Sequence, residues 1–159
     1  MEIDMMKEPD VMVYLMTGFL DSGKTQFLNF TLSQDYFQID GKTLLILCEE
    51  GEEEYDPREL LKYGVVIETV EDKEDLTEEW LEEMNKKHKP ERVVIEYNGM
   101  WMIEPLYRDS LPANWILYQI MCLVDARSFE MYVKNMGQLM MEKISNADML
   151  IFNHCNEEL

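Results

Sequence analysis

The octapeptide Gly18-Phe19-Leu20-Asp21-Ser22-Gly23-Lys24-Thr25 constrains this chain more than any other feature. It fits G-x-x-x-x-G-K-[ST] at every fixed position. Ordinary residue frequencies would give such a match by chance in about 0.5% of chains of this length. An apolar run, Val11–Thr17, ends just before it, and a helical pattern starts near Lys24 and runs to about Ser33. A strand, a glycine turn and a helix in that order aim successive backbone N–H groups at one concave point, where phosphate oxygens can sit. The residue types follow from that task. Glycines permit the turn, a lysine meets anionic β- and γ-oxygens, and a hydroxyl ligates Mg2+. The candidate nucleotide contacts are therefore Gly18, Asp21, Ser22, Gly23, Lys24 and Thr25, with Gln26 adjoining them.

The remaining chain alternates apolar runs with amphipathic segments. Thr43–Cys48, Val65–Val70, Arg92–Tyr97, Trp115–Val124 and Met149–Asn153 read as strands. Asp56-Pro57-Arg58-Glu59 carries an N-cap Asp, Pro at the first helical position and Glu at the third, and Gly64 stops that short helix. In the helix predicted from Lys24 to about Ser33, Leu28 and Leu32 share one face, and Phe27 and Phe30 another. Leu76, Trp80, Leu81 and Met84 form a helical stripe between Asp75 and Lys89, and a further helix is predicted from Ser128 to Lys143. Strands that are apolar throughout and separated by helical crossovers predict an α/β fold. Its form is a three-layer, mainly parallel, doubly wound sheet of the P-loop NTPase kind. One domain over residues 1–159 is expected, with no repeat and no second domain.

Composition narrows the partners. Asp and Glu total 33 against 14 Lys and Arg, for a formal charge of −19. That excess argues against nucleic acid and against anionic lipid, both of which need clustered cations. It leaves room for a phosphate ligand held by amides and one lysine. The N-terminus, Met1-Glu2-Ile3-Asp4, is acidic where a signal peptide is basic, and no apolar run approaches the length of a membrane span. Cys48, Cys122 and Cys155 form no C-x-x-C pair, and Cys122 reads as a small core residue. A cytoplasmic location is expected. The 14 methionines suggest a soft, adaptable core, and His88 reads as a favourable charge at a helix C-terminus.

These segments together resemble the CobW family, the metallochaperone-type GTPases related to the UreG and HypB proteins. Gly18–Thr25 with Gln26-Phe27-Leu28-Asn29 resembles that family's G-F-L-G-A-G-K-T-T-L-L-N. Leu45–Asp56 (LILCEEGEEEYD) is similar to its strand and switch stretch V-I-V-N-E-F-G-E-V-G-I-D. Val94–Gly99 (VIEYNG) resembles its Walker B segment, and Leu123-Val124-Asp125-Ala126 its V-V-D-A strand end. Ala147–Asn156 (ADMLIFNHCN) resembles A-D-x-I-V-L-N-K-x-D, the segment that reads guanine. The resemblance implies a GTP-binding protein with slow Mg2+-dependent hydrolysis and a role in metal homeostasis or metalloenzyme maturation. Lys24, Thr25 and Glu96 would be its catalytic residues, and Thr25 and Glu96 would place Mg2+. Gly99 N–H would meet the γ-phosphate, and Asn153 and Asn156 would face the base.

The departures from the family pattern carry their own expectations. Its C-x-C-C metal motif belongs after the third strand, where this chain reads Val70-Glu71-Asp72-Lys73-Glu74-Asp75. Thiolate zinc binding of the usual kind is thus unsupported. Asn153-His154-Cys155-Asn156 stands in place of N-K-x-D. A neutral Asn accepts one hydrogen bond cleanly where an Asp accepts two from guanine, so relaxed selectivity with ATP as an alternative ligand is expected. The chain stops at Leu159, where the family adds a strand, a closing helix and a C-terminal domain. That predicts a G domain truncated at its C-terminus, with an exposed apolar sheet face favouring a homo-oligomer.

Cys48 and Glu49, in the acidic run Cys48–Asp56, are candidate contacts for Mg2+ or a transition metal, although a solvated acidic loop explains the same glutamates. Met100-Trp101-Met102-Ile103, after Gly99, is either a nucleotide-gated docking surface for a client protein, such as a metalloenzyme, or a run tucked under the sheet. No glutamine follows Gly99 to orient a water, so hydrolysis should be slow or partner-dependent. The alternative reading is a nucleotide-gated binding module with negligible turnover and relaxed GTP/ATP specificity.

Overall fold

The computed structural model describes residues 10–19, 22–48 and 55–153. Six parallel strands form its sheet: β1 (Val11–Thr17), β2 (Thr43–Leu47), β3 (Val65–Thr69), β4 (Arg92–Glu96), β5 (Trp115–Asp125) and β6 (Met149–Asn153), in the order β3-β2-β4-β1-β5-β6. The helices are α1 (Lys24–Leu32), α2 (Pro57–Leu61), α3 (Glu78–His88), α4 (Phe129–Asn135) and α5 (Gly137–Asn146), with a short π-helical turn at Leu106–Ser110. The central strands β2 and β4 are buried on both faces, and β1 nearly so. Alternate residues Val13 and Leu15, Leu44 and Ile46, Val93 and Ile95 meet Leu81 and Met84 of α3 with Ile103 and Leu106. Between them, Met16, Leu45 and Val94 face the opposite way, onto Leu28 and Leu32 of α1 and Leu60 of α2. Each such side chain contributes about 1.5–3 kcal/mol by leaving water. This is the three-layer arrangement that the sequence implies.

Local signals hold at several element ends. Asp56 Oδ1 accepts from the N–H of Arg58 at 3.0 Å and of Glu59 at 3.4 Å, and Pro57 opens α2. Gly64 follows with φ of 74°, in the left-handed region that glycine tolerates. Other boundaries move. α3 starts at Glu78, because Thr77 caps it through a 3.1 Å bond from Trp80 N–H and Lys73–Asp75 forms a separate 3-10 turn. The single helix predicted over 128–143 is broken at Met136, whose φ of −135° and ψ of 42° are not helical, so α4 and α5 are distinct. Phe30 points to solvent while Phe27 packs on the second cluster, so only one of that pair serves the core. Several methionines, including Met100, Met131, Met141 and Met149, are surface residues and not core filler.

The topology fixes where a ligand can approach. From β1 the chain leaves toward β2, and from the adjacent β5 it leaves toward β6. The strands are parallel, so their C-terminal ends open a crevice at this switch point. The glycine turn at the end of β1 lies in it.

Candidate functional site

Backbone geometry comes first. Gly18 has φ of 146° and Gly23 has φ of 96°, conformations that L side chains rarely adopt. A Cβ on Gly18 would run into the Leu123 carbonyl at the end of β5, and one on Gly23 into the Asn153 amide at the end of β6. The buried Gly99, in the turn after β4, lies against the Gly18 carbonyl, where a Cβ would not fit. The glycine turn is thereby clasped between the ends of β4, β5 and β6. The Asn153 amide donates to the Ser22 carbonyl at 3.1 Å, which ties β6 to the turn. Ser22 Oγ is buried and has no hydrogen-bond partner among the described residues. A cradle that excludes side chains and holds an orphaned hydroxyl is built to receive a polar group from outside.

The side chains converge on the same point. Lys24 is buried, and its Nζ donates to the carbonyls of Gly18 and Phe19, so the ammonium lies inside the curve of the turn. Thr25 Oγ1 donates to Glu96 Oε1 at 2.8 Å, across 71 residues of sequence. Glu96 is only 1% exposed. Its other oxygen, Oε2, accepts the hydroxyl of Tyr55. Burial, and then the Glu96 charge, push the Tyr55 phenol far above its ordinary titration, so it is a neutral donor. A hydroxyl and a carboxylate together at the lip of an amide cradle are the oxygen donors that Mg2+ takes. Gln26 is exposed on the first turn of α1, where helix N–H groups lack internal acceptors.

Not every predicted residue is brought to this point. Asp21, Glu49 and Asn156 lie outside the described residues. Cys48 is fully buried in the first core cluster, with its N–H on the Glu96 carbonyl at 2.9 Å. Cys122 is buried too, beside Thr17 in strand register, as expected of a core residue. The run after Gly99 divides. Ile103 is 0% exposed and Trp101 packs edge-on against Tyr97, while Met100 (58%) and Met102 (40%) face solvent. Glu71, Asp72, Glu74 and Asp75, where the family resemblance would place cysteines, line an acidic groove of about 560 Å³ with Glu79 and Glu83. Among the described residues no group of three or more His, Cys, Asp and Glu is placed to hold a metal ion. His88 does sit at the end of α3, and its Nε2 lies 2.7 Å from Glu68 Oε2 on β3.

Sequence reasoning missed Tyr55, Tyr97, Glu142 and Lys143. Glu142 Oε2 accepts from the N–H groups of Ile103 at 2.9 Å and Glu104 at 3.1 Å. Tyr97 OH donates to the Met102 carbonyl at 2.7 Å. The next residue on α5, Lys143, is 0% exposed, with Nζ 3.4 Å from Thr17 Oγ1 and 5.2 Å from the Phe19 ring centroid. Phe19 itself stacks on Tyr132 at 4.2 Å. α5 therefore supports the glycine turn with one residue and the segment after Gly99 with its neighbour. For the α5 pair the sequence signal was that Glu142-Lys143 interrupts the apolar residues Leu139, Met140, Met141 and Ile144.

A parallel sheet of this order, with a glycine-rich turn at the switch point, defines the α/β fold of the P-loop NTPases. Residues 12–157 match the family described as CobW/HypB/UreG, nucleotide-binding domain, and the chain belongs to that family. It is 28% identical over 164 residues to the Zinc-regulated GTPase metalloprotein activator 1 of Schizosaccharomyces pombe. That alignment covers 90% of this chain and 38% of the relative, so the chain spans well under half of that protein's length. No solved structure matches the chain significantly.

Proposed function

We propose that this domain binds GTP with Mg2+ and hydrolyses its β–γ bond slowly, in the service of metal homeostasis or metalloenzyme maturation. The observation that carries the reading is the buried Thr25–Glu96 pair, 2.8 Å apart, beside the Lys24 ammonium in the glycine cradle. The amides of Gly18–Thr25 would hold the phosphates. Lys24 would exchange the Gly18 and Phe19 carbonyls for phosphate oxygens and stabilise the charge that develops in transfer. Thr25 and Glu96 would hold Mg2+, which when bound neutralises phosphate charge as a Lewis acid. Glu96 keeps the Thr25 hydroxyl oriented, and the surrounding core excludes water from that carboxylate. Asn153 fixes the edge of the cradle nearest the base. No glutamine follows Gly99, so the attacking water lacks that orienting group, and turnover should be slow.

The biological role rests on family membership and on the name of the fission-yeast relative, a zinc-regulated GTPase metalloprotein activator. The acidic groove in place of the cysteines supports a regulatory or maturation role more than carriage of a thiolate-bound metal. No helix among the described residues is long and apolar enough to cross a membrane, and we assign the domain to the cytoplasm with a protein client. A second reading, a nucleotide-gated binding module with negligible hydrolysis, is favoured by the exposed Met100 and Met102 beside the turn that touches Gly18. A small-molecule kinase ranks last, since no arginine-rich segment is available to clamp a second phosphate.

Phosphate release with GTP and Mg2+, native against Lys24→Ala, tests the proposal. The enzyme reading predicts slow release that the variant loses. Equal rates in the two proteins would leave the binding module as the function.

A further inference from the structure

Glu96 has two oxygens and both are engaged. Oε1 takes the Thr25 hydroxyl and Oε2 takes the Tyr55 hydroxyl. The two bonds differ in what happens when a divalent cation arrives. Thr25 can keep its proton on Glu96 while a lone pair of its oxygen turns to the metal. Tyr55 contributes only the positive end of an O–H dipole, on the oxygen that remains for the cation or its bound water. The phenol also neighbours the Thr25 hydroxyl, so it lies against both groups that would hold the metal and not behind one of them. A proton and a cation directed at the same carboxylate repel each other, and a buried carboxylate cannot serve both well.

Tyr55 is also held there from its own side. Asp56 caps α2 immediately after it, Pro57 fixes the next backbone angle, and the Tyr55 ring packs on the second core cluster. Its removal from Glu96 therefore has a definite cost.

We propose that the Tyr55 hydroxyl and Mg2+ compete for the Thr25–Glu96 pair, and that Tyr55 thereby sets how much Mg2+ this domain needs to bind nucleotide. The proposal rests on the nucleotide-binding reading above. Tyr55 is on this account a positioning residue. It satisfies Glu96 when the cation is absent and is exchanged for it when Mg2+ and nucleotide bind.

The test is the Mg2+ concentration that gives half-maximal binding of fluorescently labelled GDP to native protein, to Tyr55→Phe and to the control Tyr63→Phe. Removing a hydrogen bond to a charged group should lower the requirement in Tyr55→Phe about tenfold. Tyr63→Phe should match the native protein. A second measurement can refute the proposal with native protein alone. The near-ultraviolet spectrum of native protein with GDP should show a tyrosine perturbation on addition of Mg2+, and that signal should be missing in Tyr55→Phe. An unchanged or higher Mg2+ requirement in Tyr55→Phe would overturn the proposal, as would a native spectrum that Mg2+ leaves unaltered. Failure of native protein and both variants to bind GDP at any Mg2+ concentration would instead overturn the nucleotide-binding reading, and this proposal with it.

Discussion

At Gly99 a single missing carbon decides whether the end of β4 can lie on the glycine turn. A Cβ there would meet the Gly18 carbonyl and the Phe19 backbone, neither of which can swing aside as a side chain would. Gly99→Ala is predicted to lose about 1–3 kcal/mol of stability in urea unfolding and to weaken nucleotide binding at least tenfold. Gly137 offers the contrast. Nothing lies within 4 Å of its virtual Cβ, and it opens α5. Gly137→Ala should be neutral or stabilising by up to about 1 kcal/mol in the same assay. The motif Gly18–Thr25 was legible because its chemistry demands particular residues at fixed spacing. Tyr55 was not, because its partner Glu96 lies 41 residues away and only the fold brings them together.

α5 illustrates the same limit for an element. The sequence predicts one helix over 128–143 but not its break at Met136, for which Gly137, the next residue, is the local signal. Nor did it show that Glu142 accepts from the N–H groups of Ile103 and Glu104, a contact that depends on the approach of two separate elements. Glu142→Ala should cost about 1–3 kcal/mol, because it leaves those donors half-buried without their acceptor. Hydrogen exchange should then rise locally at residues 103–110, while β1 and β4 stay protected. By contrast, the strands were readable almost to the residue, since buried parallel strands are apolar on both faces. On the β3 side of the sheet, Glu68 joins β3 to α3. Burial raises its pKa, but the hydrogen bonds from His88 and Lys87 outweigh that, and the net direction is down from 4.5. Its contribution is therefore present above the ordinary carboxylate value and is lost as pH falls through the lower folded one. The stability lead of native protein over Glu68→Gln, at most about 1 kcal/mol, should close in thermal melts as pH falls below the ordinary carboxylate value.

For the whole molecule, the excess of 33 acidic over 14 basic residues sharpens into a statement about the site. On the proposed function a triphosphate would be held in a negative field by amides, Lys24 and Mg2+, so binding should depend strongly on the cation. The β6 edge of the sheet is apolar, with Met149, Leu150 and Phe152 exposed. Self-association through that edge is predicted. Sedimentation velocity should show a mass that rises with concentration, and Phe152→Lys should suppress the rise. The central claim is nucleotide binding by the glycine cradle, and side-by-side titrations with labelled GTP and ATP in Mg2+ test it most directly, using native protein and Lys24→Ala. The account predicts saturable binding to native protein, loss of that binding in Lys24→Ala, and a GTP preference below about a hundredfold, some 2.7 kcal/mol. No binding of either nucleotide to native protein, or equal binding to Lys24→Ala, would contradict it.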